Sequence, residues 1–421
     1  MRPFLLLGLL AGLIQLPGLA AGPIPADRYQ LRLRLDPVGQ HLAADALVSV
    51  RVTRAATTEL TWLLNRQLAV QSLTGPQVAS WTFNRDPDPR EAGTLKVRLR
   101  RPLGPADPLQ FRIRYQGTVT RWPEHSAEVM TPAWTELGRA LFWFPLRQDF
   151  QPFTFRLQVQ CPPAYALLSL APLKPAQGLR SLEWNEPVTD LLLIATPAEH
   201  LRVLSPAPRI RLAAAGLGEA PANHLAQAMA QLMASFRDRL NAGAALTLVQ
   251  SPRRDGGDSG GPGFRVLAGL TDARIGDGLE DLLQPLALDA ARACWNKAPV
   301  TSWEDWLNVS FAEYSALVAV RDVLGEPSWQ RRIEAKRRAA EGLPPLWQFE
   351  RGSKDAQAIM ETKGVVLLAE LEVFVGRDRF RTFCRELAGQ KGLSTAAFLD
   401  LLEASAGKPV REAFQRRIMS L

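Results

Sequence analysis

Apolar and polar residues alternate with period two through the first half of this chain and change to a helical spacing in the second. Residues 29–35 (YQLRLRL), 46–52 (ALVSVRV), 94–100 (TLKVRLR) and 109–115 (LQFRIRY) each set one apolar face against one polar face. That is the mark of a half-buried strand. Further strands are predicted at 153–159, 181–184 and 191–195, with Pro and Gly between them. Many short strands with turn signals predict an antiparallel β-sandwich or saddle that ends near residue 206. Beyond it, Leu225, Met229, Leu232, Met233, Phe236 and Leu240 recur at helical spacing, with Asn223 as the predicted N-cap. Residues 245–249 and 264–270 predict two more strands. Helices are predicted over 278–297, 306–324, 328–340, 355–375, 377–388, 395–405 and 409–420, with Ser394-Thr395 and Gly407 as cap and stop. The fold class is α+β and multidomain: a β domain over 22–206, then a mainly helical domain with a small sheet over 207–421.

Composition adds a compartment and removes some functions. A chain of 421 residues, 47% hydrophobic, suits two or three domains with sizeable cores. Residues 1–21 read as a signal peptide, with Arg2, an apolar run from Phe4 to Leu16 and a small-residue cleavage site at Gly18-Leu19-Ala20. No later stretch is long and apolar enough to span a bilayer, so no transmembrane helix is expected after cleavage. The expected location is a bacterial periplasm or the medium. Cys161, Cys294 and Cys384 are an odd set among apolar neighbours, which predicts buried free thiols rather than a disulfide. The net charge of +8 is dispersed, except for Arg331-Arg332 through Arg337-Arg338. Such a run is the solvated face of a helix, which argues against nucleic acid as a partner and leaves anionic envelope surfaces. The Gly/Asp/Ser run from Gly256 to Gly263 lacks the Lys-Ser/Thr ending and following helix of a phosphate loop.

The candidate chemistry lies in two adjacent predicted helices. Leu288-Asp289, Arg292 and Trp295 precede Trp306-Leu307-Asn308-Val309-Ser310-Phe311-Ala312-Glu313-Tyr314. This arrangement resembles the signature of the membrane alanyl aminopeptidase family, the gluzincin zinc metallopeptidases that include leukotriene hydrolase. That family writes H-E-x-x-H-x-W-W and then W-L-N-E-G-F-A-x-Y. The β half is similar to the same family in order and phrasing: Tyr29 opens a "Y-x-L-x-L" strand, Tyr115-Gln116-Gly117 closes one, and Trp143-Phe144-Pro145 precedes Phe153, Phe155 and Cys161-Pro162-Pro163. The resemblance implies a β domain followed by a thermolysin-like domain. The chain stops where that second domain ends, so the family's C-terminal helical domain is expected to be absent.

Laid over the signature, the ligand positions fall on Leu288, Arg292 and Val309, and the general base on Asp289. Two imidazoles one helical turn apart converge on one ion, and a carboxylate from a second helix completes the set. Leu288 and Val309 have no lone pair, and a guanidinium has no acceptor. Asp289 keeps a carboxylate, one methylene shorter, but a lone base supplies only about 10²–10⁴-fold. The resemblance also assigns an amine-binding Glu to Gly260 and an oxyanion-stabilising Tyr to Glu361, beside matching Lys363 and Gly364. His41, His125, His200 and His224 form no spaced pair. Zinc is the family's cofactor, yet its ligands are missing, so no cofactor is expected. The reading is an exported pseudopeptidase, a module that binds a peptide or protein partner in the cell envelope. Asp289, Arg292, Glu313, Glu361 and Lys363 are its candidate cleft residues, Arg292 being expected to pair with Asp289 or Glu313. The competing readings are a zinc-dependent aminopeptidase, a metal-free hydrolase using the same cleft, and a structural envelope subunit.

Overall fold

The computed structural model describes residues 27–52, 56–105, 107–124, 126–241, 245–253, 258–261 and 263–420. The predicted signal peptide, His125 and part of the Gly-rich run (Gly256, Gly257, Pro262) lie outside them. Alternation is read out directly in the first strand, Asp27–Asp36: Tyr29, Leu31, Leu33 and Leu35 are buried while Arg28, Gln30, Arg32 and Arg34 are exposed. It belongs to a seven-stranded sheet ordered Lys174–Ala176, Leu179–Val188, Phe153–Gln160, Asp27–Asp36, His41–Arg51, Pro108–Thr118, Ala69–Thr74. Its pairings are antiparallel except where Asp27–Asp36 meets Phe153–Gln160. A four-stranded sheet (Leu146–Arg147, Thr57–Asn65, Ala92–Leu103, Val78–Asn84) shares its core. Trp62 meets Phe111 edge-on across that core at 4.8 Å.

A third sheet joins the two halves. Its strands run Tyr165–Ser169, Leu193–Pro197, Thr135–Leu137, Val129–Met130. Because successive side chains alternate, Leu193 and Ala195 enter the β core while Leu192 and Ile194 pack on Ala213, Val249, Phe264 and Val266 of the next sheet. That next sheet is ordered Arg202–Ala207, Ile210–Ala214, Leu246–Gln250, Phe264–Leu267, Ser259–Gly261. Residues 202–206, read from sequence as the end of the β domain, are therefore hydrogen-bonded into the sheet of the helical half, through Ile210–Ala214.

The helices are α1 (Glu219–Leu240), α2 (Asp272–Asp277), α3 (Leu279–Cys294), α4 (Trp306–Leu324), α5 (Glu326–Ala340), α6 (356–375), α7 (Arg377–Ala388), α8 (Thr395–Ala406) and α9 (Lys408–Met419). Asn223 is not the N-cap of α1. The helix begins after Gly218 and takes Pro221 in its first turn, where a missing N–H costs nothing. Ser394 does cap α8, its hydroxyl accepting from Ala397 N at 3.1 Å. α4 is buried over most of its length and packs against α1, α3, α5 and α6. Among the described residues no helix is long and apolar enough to cross a membrane.

Candidate functional site

The residues that make the α3–α4 region recognisable are packing residues. Trp295 at the end of α3 donates its Nε1–H to Ser315 Oγ (2.9 Å), and Trp306 donates to Thr395 Oγ1 on α8 (3.0 Å). Asn308 closes the connection between the helices: its carbonyl accepts from Lys297 N and Ala298 N, and its amide donates to Ala298 O and Asp305 Oδ1, all at 2.8–2.9 Å. Phe311 lies between Trp295, Trp306 and Phe398, and Tyr314 meets Trp329 and Phe380 edge-on. Full burial of side chains of this size stabilises by roughly 1.5–3 kcal/mol each. Two turns farther along α4, Arg321 makes a two-pronged ion pair with Glu372 of α6 at 3.1 and 2.9 Å, with both side chains 5% exposed.

The positions assigned to catalytic chemistry carry different contacts. Leu288 on α3 and Val309 on α4 are half-buried and packed against the apolar core. Arg292, one turn beyond Leu288, is exposed and holds no ion pair with Asp289 or Glu313, contrary to expectation. Both acids are engaged elsewhere. Asp289 Oδ2 lies 2.6 Å from Arg265 Nε, a contact of opposite charges off the direction of an aligned hydrogen bond. Arg265 sits on Phe264–Leu267, directly opposite Gly260 on the edge strand. Gly260 has φ +105°, and a Cβ there would lie 2.2 Å from the carbonyl oxygen of Phe264. Only glycine fits. This backbone cannot present a side chain at the position assigned to an amine-binding Glu.

The start of α6 contains a π-helical turn, Ile359–Lys363. Glu361 is half-buried on it and accepts from Gln357 Nε2 at 2.5 Å. Its backbone oxygen accepts from Lys336 of α5 (2.7 Å), whose ammonium also pairs with Glu313 Oε2 (3.0 Å). Lys363 is not a cleft residue. It is buried, and its ammonium is taken up by the carbonyls of Leu343, Pro344 and Ser420 at 3.0–3.2 Å. Desolvation holds its pKa below the ordinary lysine value. Gly364 lets α6 close onto α4: a Cβ there would stand 2.1 Å from Ser310 Oγ and 2.9 Å from Ser310 Cβ. Ser310 Oγ in turn donates to Met360 O at 2.7 Å. Substituting Gly364→Ala is expected to destabilise by about 1–3 kcal/mol through overpacking. A urea midpoint unchanged in G364A would show that the helices slide apart freely.

Sequence reasoning missed the acids at the junction of the two halves. Glu136, fully buried on Thr135–Leu137, accepts from Trp134 Nε1 (2.9 Å), Arg253 Nη2 (3.1 Å) and Ser259 Oγ. Arg253 and Ser259 belong to the helical half, so this carboxylate ties the edge-strand region to the β domain. The available signal was an isolated acid in the run 129–144, flanked by Trp134 and Leu137. Close by, Glu128 accepts from the backbone N–H groups of Gly138 (2.9 Å), Ala140 (3.0 Å) and Leu141 (2.6 Å). Burial, and then repulsion from Asp190, push the Glu128 carboxyl well above the usual carboxylate range. Asp190 is likewise raised, first by burial, although Arg139 opposes it.

The donor set does not fit zinc. Leu288, Arg292 and Val309 offer no lone pair for a cation, and among the described residues no three His, Cys, Asp or Glu side chains cluster to hold a metal. His41, His200 and His224 stand on a strand of the large sheet, a short turn and α1. The cysteines form no disulfide; Cys384 is buried as expected, whereas Cys161 and Cys294 are half-buried. Burial pushes all three thiols up, Cys161 to about 12.

No family model and no curated protein sequence matches the chain. Solved structures do. The M1 zinc metallopeptidase from Deinococcus radiodurans superposes with a TM-score of 0.54 at 19% identity, covering 94% of this chain and 95% of that one. A point mutant of the same enzyme bound to a Tyr-Ser-Ala substrate gives 0.55 at 20% identity, covering 94% of each. Leukotriene A4 hydrolase from Saccharomyces cerevisiae gives 0.55 at 14% identity, over 93% of this chain and 66% of that one. From the strand order to the helical block that follows it, this chain shares the two-domain fold of the M1 zinc metallopeptidases.

Proposed function

We propose that this chain is an exported, non-catalytic relative of the zinc aminopeptidases whose cleft binds a peptide or a protein partner of the cell envelope. The observation that carries this reading is the donor set on α3 and α4: Leu288, Arg292 and Val309 where a gluzincin needs two imidazoles and a carboxylate. The surroundings support it. The charge of Asp289 is already compensated by Arg265, Gly260 admits no side chain, and Glu361 puts a carboxylate where an oxyanion would need a donor. Arg292 and the edge strand Ser259–Gly261 remain to hold an extended peptide by charge and backbone hydrogen bonds.

The test joins metal analysis, turnover and binding on the purified protein. Expected results are zinc well below one equivalent, no cleavage of an aminoacyl-amide panel, and saturable binding of a fluorescent peptide library. Stoichiometric zinc with turnover would overturn the non-catalytic reading. Metal-independent turnover removed by Asp289→Asn or Glu361→Gln would replace it with acid–base hydrolysis in the same cleft. Failure to bind any peptide would overturn the binding role. Export predicts a periplasmic product whose N-terminus is close to Gly22.

A further inference from the structure

The outer face of the seven-stranded sheet is independent of the cleft and carries arginine and glutamine in register. The pleat of Asp27–Asp36 aims Arg32 and Arg34 outward. Arg32 stands between Gln158 and Asp45, with Arg114 beyond; Arg34 stands between Gln160 and Ala43. Gln158 Oε1 accepts from Arg32 Nε at 2.9 Å, and Gln160 Oε1 from Arg34 Nε at 3.3 Å. Each glutamine thus fixes the inner nitrogen of a guanidinium and leaves its terminal amino groups without a partner among the described residues. Neither arginine has an ion pair there. Asp45, the acid of this patch, is shared by Arg112 (2.6 and 2.7 Å) and Arg114 (3.1 Å). The small Ala43 leaves a depression of about 300 Å³ between these side chains, with Gln71 at its rim.

We propose that this depression binds an acidic polysaccharide chain. Arg32, Arg34 and Arg114 would take its carboxylates, since a guanidinium with free terminal nitrogens matches a carboxylate in two-point geometry. The glutamine amides both donate and accept, as hydroxyl groups require. Outward positions of the four central strands carry no Phe, Tyr or Trp on which nucleic-acid bases would stack. A depression also suits one chain laid across it better than lipid headgroups lying in a plane.

The experiment uses the full chain and a fluorescein-labelled oligogalacturonate, followed by anisotropy at several salt concentrations. Binding is expected to be saturable and to weaken with salt. The exposed pair R32Q/R34Q should weaken it about tenfold or more, and R32K/R34K should recover only part of that loss, because a lysine keeps the charge without the fork. R337Q/R338Q, which removes the same charge from α5, should leave affinity within about twofold. Equal losses in both glutamine pairs would reduce the effect to net charge and overturn the site. So would absence of binding by a parent protein with intact circular dichroism. Equal or tighter binding of a single-stranded oligonucleotide, or of phosphatidylglycerol vesicles, would overturn the polysaccharide assignment.

Discussion

Arg321→Ala is expected to lower the stability of the helical half by about 3–5 kcal/mol, the cost of leaving a buried carboxylate without its partner. Arg321 and Glu372 join α4 to α6 with two hydrogen bonds, and the guanidinium also lies 4.5 Å over the ring of Trp329. Truncation removes the stacking contact and the pair together. Removing both charges is a different experiment: R321M/E372L replaces a desolvated pair by apolar volume and is expected to recover most of the loss. Urea titration of the three proteins checks this through their midpoints. A single-mutant loss under about 1 kcal/mol would mean that water reaches Glu372 and that α4 and α6 are held by their apolar contacts alone.

Alkaline pH should destabilise the protein through Glu128 and Asp190. Both carboxyls are raised, so the folded chain holds protons that the unfolded chain releases. Their contribution is complete below the ordinary carboxylate range, near pH 4. It is lost as pH rises through the folded values, about 6 for Asp190 and about 8 for Glu128. Arg139 draws Asp190 towards ionisation, while Glu136, itself raised by burial and held by Arg253, repels both. Across that window the expected fall is on the order of a few kcal/mol. Asp190→Asn removes one charge of the pair and should flatten the alkaline arm while leaving stability at pH 4 little changed. Denaturant midpoints measured from pH 4 to 9 provide the check; parallel profiles for parent and D190N would disprove the linkage.

Much of this architecture was legible because burial and period agree. Residues 29–35 and 109–115 alternate in sequence and in exposure, and the capped helix from Thr395 starts where its signal stands. Strands that escaped notice have physical reasons to be quiet. Thr57–Asn65 ends in four consecutive buried residues, which erases alternation, and Ala69–Thr74 and Val78–Asn84 are sheet edges with mostly exposed side chains. α2 is six residues long, too short for a helical period to emerge. At the site, candidate positions could be named from sequence, but the partners that the structure gives them could not. Arg265 and Asp289 are 24 positions apart on a strand and a helix, and Glu136 meets Arg253 across 117. The first pair depends on how α3 meets the sheet of the helical half and the second on how the third sheet docks, and no local pattern encodes either.

Gly260 limits what the edge strand can carry. With φ +105° and the Phe264 carbonyl 2.2 Å from any Cβ, a substitution at this position alone cannot place an acid on the edge strand. The strand would have to re-register or lift before the side chain could be useful, and every intermediate with the side chain but not the new backbone would be strained. A single exchange of residue 260 is therefore disfavoured by the backbone itself. Natural variation can add a side chain beside residue 260 far more readily than at it.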